Sequence, residues 1–355
     1  MKLLKIMSAQ RLDKFLQEKF PQYSRAFIKE QIKLGNFLVY PEQSRGVNGE
    51  KVKPSYILRQ GDQVALAPGF NLPDAAQILP NPAIKLDIIF ENDDVIVINK
   101  PAGLSVHPRQ DKNGLPLLQE INTALVSGLL AYYPAITDAG DILNPPRSSL
   151  KGGSKISSPP LGGVRPKVLE GGDFYPANIR PGIVHRLDKD TSGVMIIAKN
   201  QASFDWLKKQ FKERQTTKKY LALVHGLLKI KEGEIKTLLH RAVSDPTKQK
   251  VSKNEGKEAI TGYKVIKEFK GYSLIEASPK TGRLHQIRVH LAHLSHPVAG
   301  DAKYGDKRLP ILPGLDHQFL HAQELKITLP GGSKKTFFAP LPADLQATLD
   351  TLAGK

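Results

Sequence analysis

The chain has 355 residues, enough for two domains, and 40% hydrophobic against 24% charged residues excludes a wholly disordered protein. Lysine and arginine number 52 against 34 acids, a net charge of +18 that favours a polyanionic partner: nucleic acid first, an anionic membrane second. There is no cysteine, which excludes disulfides and thiolate metal sites, and neither an apolar leader nor a run of about 20 apolar residues occurs, so a soluble cytoplasmic protein is expected.

In chain order, residues 10–20 place Leu12, Phe15, Leu16 and Phe20 at helical spacing, with Pro21 as the stop. Ser24 reads as the N-cap of a second helix that ends at Gly35. Short strands follow at 36–39, 52–58 and 63–66, the last after a Gly61-Asp62 turn. This first unit spans 8–68, and 69–84, with three prolines, reads as a linker. A larger domain, 85–345, opens with two strands around an acidic turn and a helix expected over Leu115–Ala131. Residues 135–178 are rich in Gly, Pro and Ser without periodicity and read as a disordered insertion. Beyond it come a charged loop between apolar strands, a helix near 202–214, and strands at 218–226, 261–266 and 272–278. A helix over 283–294, two strands and a closing helix complete the chain. Strands outnumber helices without alternating with them. The expected class is α+β: a mixed, largely antiparallel central sheet with flanking helices, plus a small α/β unit at the N-terminus.

The loop HRLDKDTSG, residues 185–193, carries His185, Arg186, Asp188, Lys189 and Asp190 between the strands GIV and VMIIA. A rigid frame holding a charged loop can position reactive groups, although Asp, Thr, Ser and Gly are also ordinary turn residues. The histidines at 285, 290, 293 and 296 cluster, but no HExxH and no acidic ligand accompany them, so no metal is expected.

The HRLD-x-x-TSG pattern resembles the signature of the RluA-type pseudouridine synthases. DDVIVINKPAGLSVHP (93–108), KKYLALVHG (218–226) and TGRLHQIRVHLAHLSHPVAGDAKYG (281–305) resemble three further motifs of that family, in the family's order. The resemblance implies an isomerase that cuts the N1–C1′ bond of uridine, turns the base and rejoins it through C5, with no cofactor. It makes Asp188 the nucleophile, Arg288 its ion-pair partner, Tyr220 the active-site tyrosine, and Arg186 the side chain that fills the space of a flipped-out nucleotide. Whether the carboxylate attacks sugar or base stays open. Without the resemblance, Tyr220 reads equally as a core aromatic and Arg186 as a loop arginine on one phosphate.

Residues 11–16, 24–39 and 47–64 resemble an S4-like RNA-binding domain, with Arg11, Arg25 and Lys33 as candidate phosphate contacts and 40–46 as an insertion. The combination resembles the large-subunit ribosomal RNA enzymes of the family, so 23S-type rRNA is the expected partner of a monomer. The alternatives are a tRNA-specific synthase, a non-catalytic RNA-binding or ribosome-assembly protein, and a hydrolytic glycosylase using Asp190 as its second carboxylate.

Overall fold

The computed structural model describes all residues except 1–3, 21–22, 24, 43–48, 71, 73–77, 110–116, 118–119, 141–179, 243–244, 246, 307 and 355. The described residues fall into two compact units. One is built from 1–84 and 107–134 with Arg180, the other from 85–106, 135–140 and 181–355.

In the first unit, β1 (Leu4–Lys5), β2 (Gln10–Arg11), α1 (Leu12–Lys19), α2 (Arg25–Leu34), β3 (Phe37–Tyr40), β4 (Ile57–Leu58) and β5 (Gln63–Leu66) follow in order. The helical spacing read from the sequence buries Leu12, Phe15 and Leu16 on α1 and Phe27, Ile28 and Ile32 on α2 in one core. Gly35 takes φ +78° and closes α2 with its amide on the Ile32 carbonyl. The small sheet runs β1-β5-β3, and β2 pairs β4. The N-cap expected at Ser24 lies outside the described residues, as do 43–46 of the segment read as an insertion.

The same unit holds α3 (Leu125–Tyr132), which starts ten residues later than the helix expected from Leu115. Its approach is occupied by tight turns, Glu120 N–H to Leu117 C=O and Thr123 N–H to Glu120 C=O. Asn122 then binds back to residues 79–81, accepting from the Leu79 amide and receiving the Asn81 side chain. Within the segment read as a linker, Ile78 is fully buried, while Leu79, Pro80, Pro82 and Ala83 are exposed.

The second unit is a 10-stranded sheet. Its elements are β6 (Ile88–Glu91), β7 (Val95–Lys100), β8 (Ser192–Ala198), α4 (Gln201–Lys212), β9 (Thr217–His225), β10 (Glu232–Arg241), β11 (Gln249–Ser252), β12 (Lys257–Phe269), β13 (Tyr272–Pro279), α5 (Gln286–His293), β14 (Leu320–Thr328), β15 (Lys334–Phe338) and α6 (Ala343–Leu352). The strand order is β11-β10-β12-β13-β9-β14-β8-β7-β6, with β15 beside β14. Every pairing is antiparallel except β14 with β8, which is parallel and only two residues long, His321 opposite Ser192 and Ala322 opposite Gly193. This is the α+β, largely antiparallel sheet expected. All seven residues of β8 are buried, about 1.5–3 kcal/mol for each large aliphatic side chain.

Two features differ from the sequence reading. The hairpin β10–β11 is absent from the sequence reading, because Glu232, Glu234, Lys236 and Lys250, poor strand formers, interrupt its apolar pattern. Ion pairs tie β10 to its other neighbours, Lys264 with Glu232 and Lys236 with Glu258 on β12 at 3.5 Å and Lys280 after β13 with Glu234 at 2.6 Å, while β11 pairs the end of β10 from Leu238 opposite Ser252 to Arg241 opposite Gln249. And residues 135–140, read as the start of the insertion, include a 3-10 turn (Pro134–Asp138) with Ile136 and Ala139 fully buried. From Asp141 to Ala177 and Asn178 the insertion lies outside the described residues.

Candidate active site

The loop before β8 is held by most of its own groups. His185 accepts the Ile196 amide at Nε2 (3.0 Å) and stacks on Phe211 with centroids 4.5 Å apart. Burial, helped by Lys218, pulls its pKa down to about 3, so the ring is neutral with its proton on Nδ1. Leu187 is buried, and the Thr191 amide closes a turn on the Asp188 carbonyl at 3.1 Å. Gln318 donates to the Thr191 hydroxyl at 3.0 Å. His321 donates from Nε2 to the Ala339 carbonyl, so its Nδ1 receives the Ser192 hydroxyl proton at 2.8 Å. Gly193 sits at φ +118°, and a Cβ there would lie 2.2 Å from the Ala322 carbonyl oxygen. That glycine is what lets β8 lie parallel to β14.

From below, Lys100 anchors the loop. It is fully buried and donates to the carbonyls of Pro101, Leu104 and Lys189 at 2.7, 2.9 and 2.9 Å. Burial pulls its pKa down to about 7 against the charges of Asp190 and Asp188. Three carbonyl acceptors match the three protons of an ammonium, so the geometry favours the charged form.

Asp188 is left facing Arg288. The guanidinium Nη1 donates to Asp188 Oδ2 at 2.9 Å, while Nε and Nη2 grip Asp301 at 2.7 and 2.8 Å. The Asp301 side chain is fully buried, that of Arg288 is 7% exposed and that of Asp188 18%. Burial pushes the Asp301 carboxyl up, but the hydrogen bonds and charge of Arg288 and the amides of Tyr304 and Lys303 hold it below its ordinary value. Desolvation works against the Arg288 cation too, and the two carboxylates outweigh it, so its pKa is raised. A guanidinium can serve two carboxylates at once; an ammonium lacks the fork.

Arg288 is placed by α5. Gln286 donates to the Ile260 carbonyl and the Thr261 hydroxyl, and both ring nitrogens of His290 bond threonine hydroxyls, Thr237 at 3.0 Å and Thr261 at 2.9 Å. His296 donates from Nδ1 to the His225 carbonyl. These histidines hold the fold, and among the described residues no cluster of three or more His, Cys, Asp or Glu is arranged to bind a metal ion.

Tyr220 lies on β9 opposite Ala322, which in turn lies opposite Gly193, so one row across three strands brings the tyrosine to the loop. Burial first and the Asp188 charge second raise its phenol pKa, keeping the hydroxyl protonated. Arg186 is exposed on the loop. Asp190 opens instead onto a cleft of about 780 Å³ lined by Lys85, Asp87, Asp316 and Asp344, and Asp188 is not in that lining. In the first unit, Arg11 and Arg25 converge on the fully buried carboxylate of Asp13 at 3.0 and 2.9 Å, with Lys29 at 3.7 Å. Lys33 pairs with Glu30 at 3.3 Å.

Sequence reasoning did not single out Lys100, Asp301 or Tyr304, and it named His285 only in the histidine cluster weighed against a metal site. All four stand inside motifs it quoted, NKPAG, RLHQIR and GDAKYG, and the signal was there in the charged or aromatic types fixed beside glycines.

A carboxylate pinned by a guanidinium, 18% exposed, with a protonated tyrosine whose phenol feels its charge, suits nucleophilic attack. The model of the RNA pseudouridylate synthase family matches residues 94–293, which contain Asp188, Tyr220 and Arg288. The chain belongs to this family. It is 34% identical over 345 residues to the RNA pseudouridine synthase YlyB of Bacillus subtilis, covering 97% of this chain and 94% of that protein. It is 40% identical over 302 residues to an RNA pseudouridine synthase of Aquifex aeolicus, covering 84% and 78%. To the ribosomal large subunit pseudouridine synthase D of Escherichia coli it is 32% identical over 355 residues, 97% and 90%. Among solved structures it shares the fold of human RNA pseudouridylate synthase domain containing 1, with TM-score 0.50 and 24% identity over 76% of this chain and 90% of that one. This pseudouridine synthase is therefore an isomerase that acts on RNA.

Proposed function

We propose that the chain converts uridine to pseudouridine in large-subunit ribosomal RNA, with Asp188 as nucleophile. The observation that carries the chemistry is the 2.9 Å Arg288–Asp188 contact, which keeps a carboxylate only 18% exposed paired. In this reading Asp188 attacks and holds one fragment while the base turns. Tyr220 packs on the uracil, its hydroxyl available for proton transfer, and Arg186 occupies the space the flipped nucleotide leaves. No step needs a redox carrier, nucleotide or metal.

The rRNA assignment draws on relatives whose names carry it, and on the net charge of +18. The first unit is assigned as an S4-like RNA-binding domain. Its Arg11, Arg25 and Lys29 surround a single carboxylate, so the trio keeps a surplus of positive charge in a fixed arrangement suited to phosphates.

The test uses unmodified large-subunit rRNA transcript tritiated at uridine C5. Wild type releases tritium to water without free uracil, and Asp188→Ala does not. Free uracil would mean a glycosylase. Release from tRNA but not from rRNA would overturn the substrate and leave the chemistry.

A further inference from the structure

We infer that His285 is a further catalytic residue: a neutral imidazole that presents its Nε2–H to the uracil oxygen on which negative charge gathers when Asp188 attacks. This rests on Asp188 being the nucleophile.

The placement comes first. His285 precedes α5 in a left-handed conformation, φ +54°, which a side chain adopts at a cost of about 1–2 kcal/mol. That conformation directs the ring at the nucleophile, with Nε2 3.9 Å from Asp188 Oδ2 and the side chain 11% exposed. It stands three residues before Arg288, so both reach Asp188 from the same face of the helix.

The proton's position follows from hydrogen-bond accounting. The Tyr304 hydroxyl oxygen accepts the Gln249 amide at 2.8 Å, a donor that cannot reverse. The Tyr304 O–H proton then needs an acceptor, and His285 Nδ1 lies 2.8 Å away. The neutral ring therefore carries its hydrogen on Nε2. Burial pulls the His285 pKa down to about 4; Arg288 and Lys303 add to that pull, and Asp188 and Asp301 oppose it. The ring stays neutral at working pH. Tyr304 is itself fixed, its amide on Asp301 at 3.0 Å and its ring 5.2 Å from the Arg288 guanidinium.

At 3.9 Å the Nε2–H is too far from Asp188 for a hydrogen bond and too close for a bridging water. Among the described residues it has no hydrogen-bond partner, so the donor is available to a substrate atom. On either route the negative charge leaves Asp188 for the pyrimidine. Attack at C1′ releases a uracil anion; attack at C6 yields an enolate. The uracil anion shares its charge between O2 and O4 and the enolate carries it on O4, so both routes place charge on a ring carbonyl oxygen. A preorganised neutral N–H there stabilises the transition state and keeps its proton throughout.

Single-turnover tritium release separates turnover from RNA affinity. His285→Phe keeps a ring and loses the donor; the expected loss is about 10²–10³-fold in rate at saturating enzyme, with half-saturation within about twofold. His285→Gln puts an amide N–H near the Nε2 position and restores the rate to within about tenfold of wild type. Tyr304→Phe frees the tautomer and gives an intermediate rate. A His285→Phe rate within about threefold of wild type overturns the inference, as does failure of Gln to rescue in a protein that melts like wild type. If the Phe variant does not fold, ¹⁵N-histidine NMR of the wild type decides: an Nε2–H tautomer for the signal missing in His285→Gln supports the proposal, and an Nδ1–H tautomer refutes it. Wild-type inactivity, or release by Asp188→Ala, would instead sink the underlying reading.

Discussion

Arg288 holds two carboxylates, and on the proposed mechanism they do different work. Asp301 is fully buried and takes two guanidinium nitrogens, plus the amides of Lys303 and Tyr304 at 2.9 and 3.0 Å. Asp188 is partly exposed and takes one nitrogen. Asp301→Asn leaves a guanidinium buried against a neutral amide, and breaking a buried pair costs about 3–5 kcal/mol. For a unit of this size each kcal/mol moves the melting temperature by about 2–4 °C, so a fall of about 6–20 °C is expected. Asp188→Asn leaves the Asp301 grip intact and removes one partly solvated contact, about 1 kcal/mol or about 2–4 °C. Activity reverses the order: Asp188→Asn is inactive, while Asp301→Asn keeps residual turnover near its own folded fraction. Circular dichroism melts with tritium release on the same samples measure both. Equal melting temperatures for the two variants would refute the division between structural and reactive carboxylate.

Lys100→Met leaves three carbonyls unpaired, a loss of about 1 kcal/mol each offset in part by removing a buried charge, and should cut turnover more than about tenfold with a modest fall in melting temperature; unchanged turnover would show the loop holds without it. Gly193→Ala drives a Cβ into the Ala322 carbonyl and should abolish soluble folded protein or lower its melting temperature sharply, read by expression and calorimetry. His185, His285 and His290 have folded pKa values pulled to about 3, 4 and 4 from 6.5. Below about pH 6.5 the unfolded chain binds the extra protons, so stability is lost as pH falls toward about 4. Asp13 and Asp301, held below 3.8, weaken the fold only further down. A melting temperature flat between those limits would mean the histidines are charged in the folded protein.

The periodicity of 10–20 and 24–35 was enough to place α1 and α2, since one apolar face meets one core. The β10–β11 hairpin escaped because β11 is only four residues long and its ladder to Leu238–Arg241 is main-chain pairing, while the charge pairs that anchor β10 run to β12 and to Lys280 after β13, visible only once the strands stand side by side. The helix expected over Leu115–Ala131 is formed from Leu125; before it, residues 120–123 turn for a tertiary reason, Asn122 being drawn to residues 79–81, and 115–116 and 118–119 lie outside the described residues. At the site, Asp188 and Arg288 were named through the family resemblance, and they pair at 2.9 Å. The Lys100 anchor was not, because its partners are main-chain carbonyls, and a carbonyl has no letter in the sequence.

The sheet order carries a kinetic consequence. Strands β8 and β9 are neighbours in sequence, yet β14, about a hundred residues further on, lies between them. Until residues 320–322 have been synthesised, the Gly193 edge has no partner and Tyr220 has no fixed distance to Asp188. Contacts that far apart in the chain close slowly. The nascent protein is thus built to be inert for most of its synthesis, and a chain cut before Leu320 would retain the Asp188 loop, Tyr220 and Arg288 without the strand that brings them together.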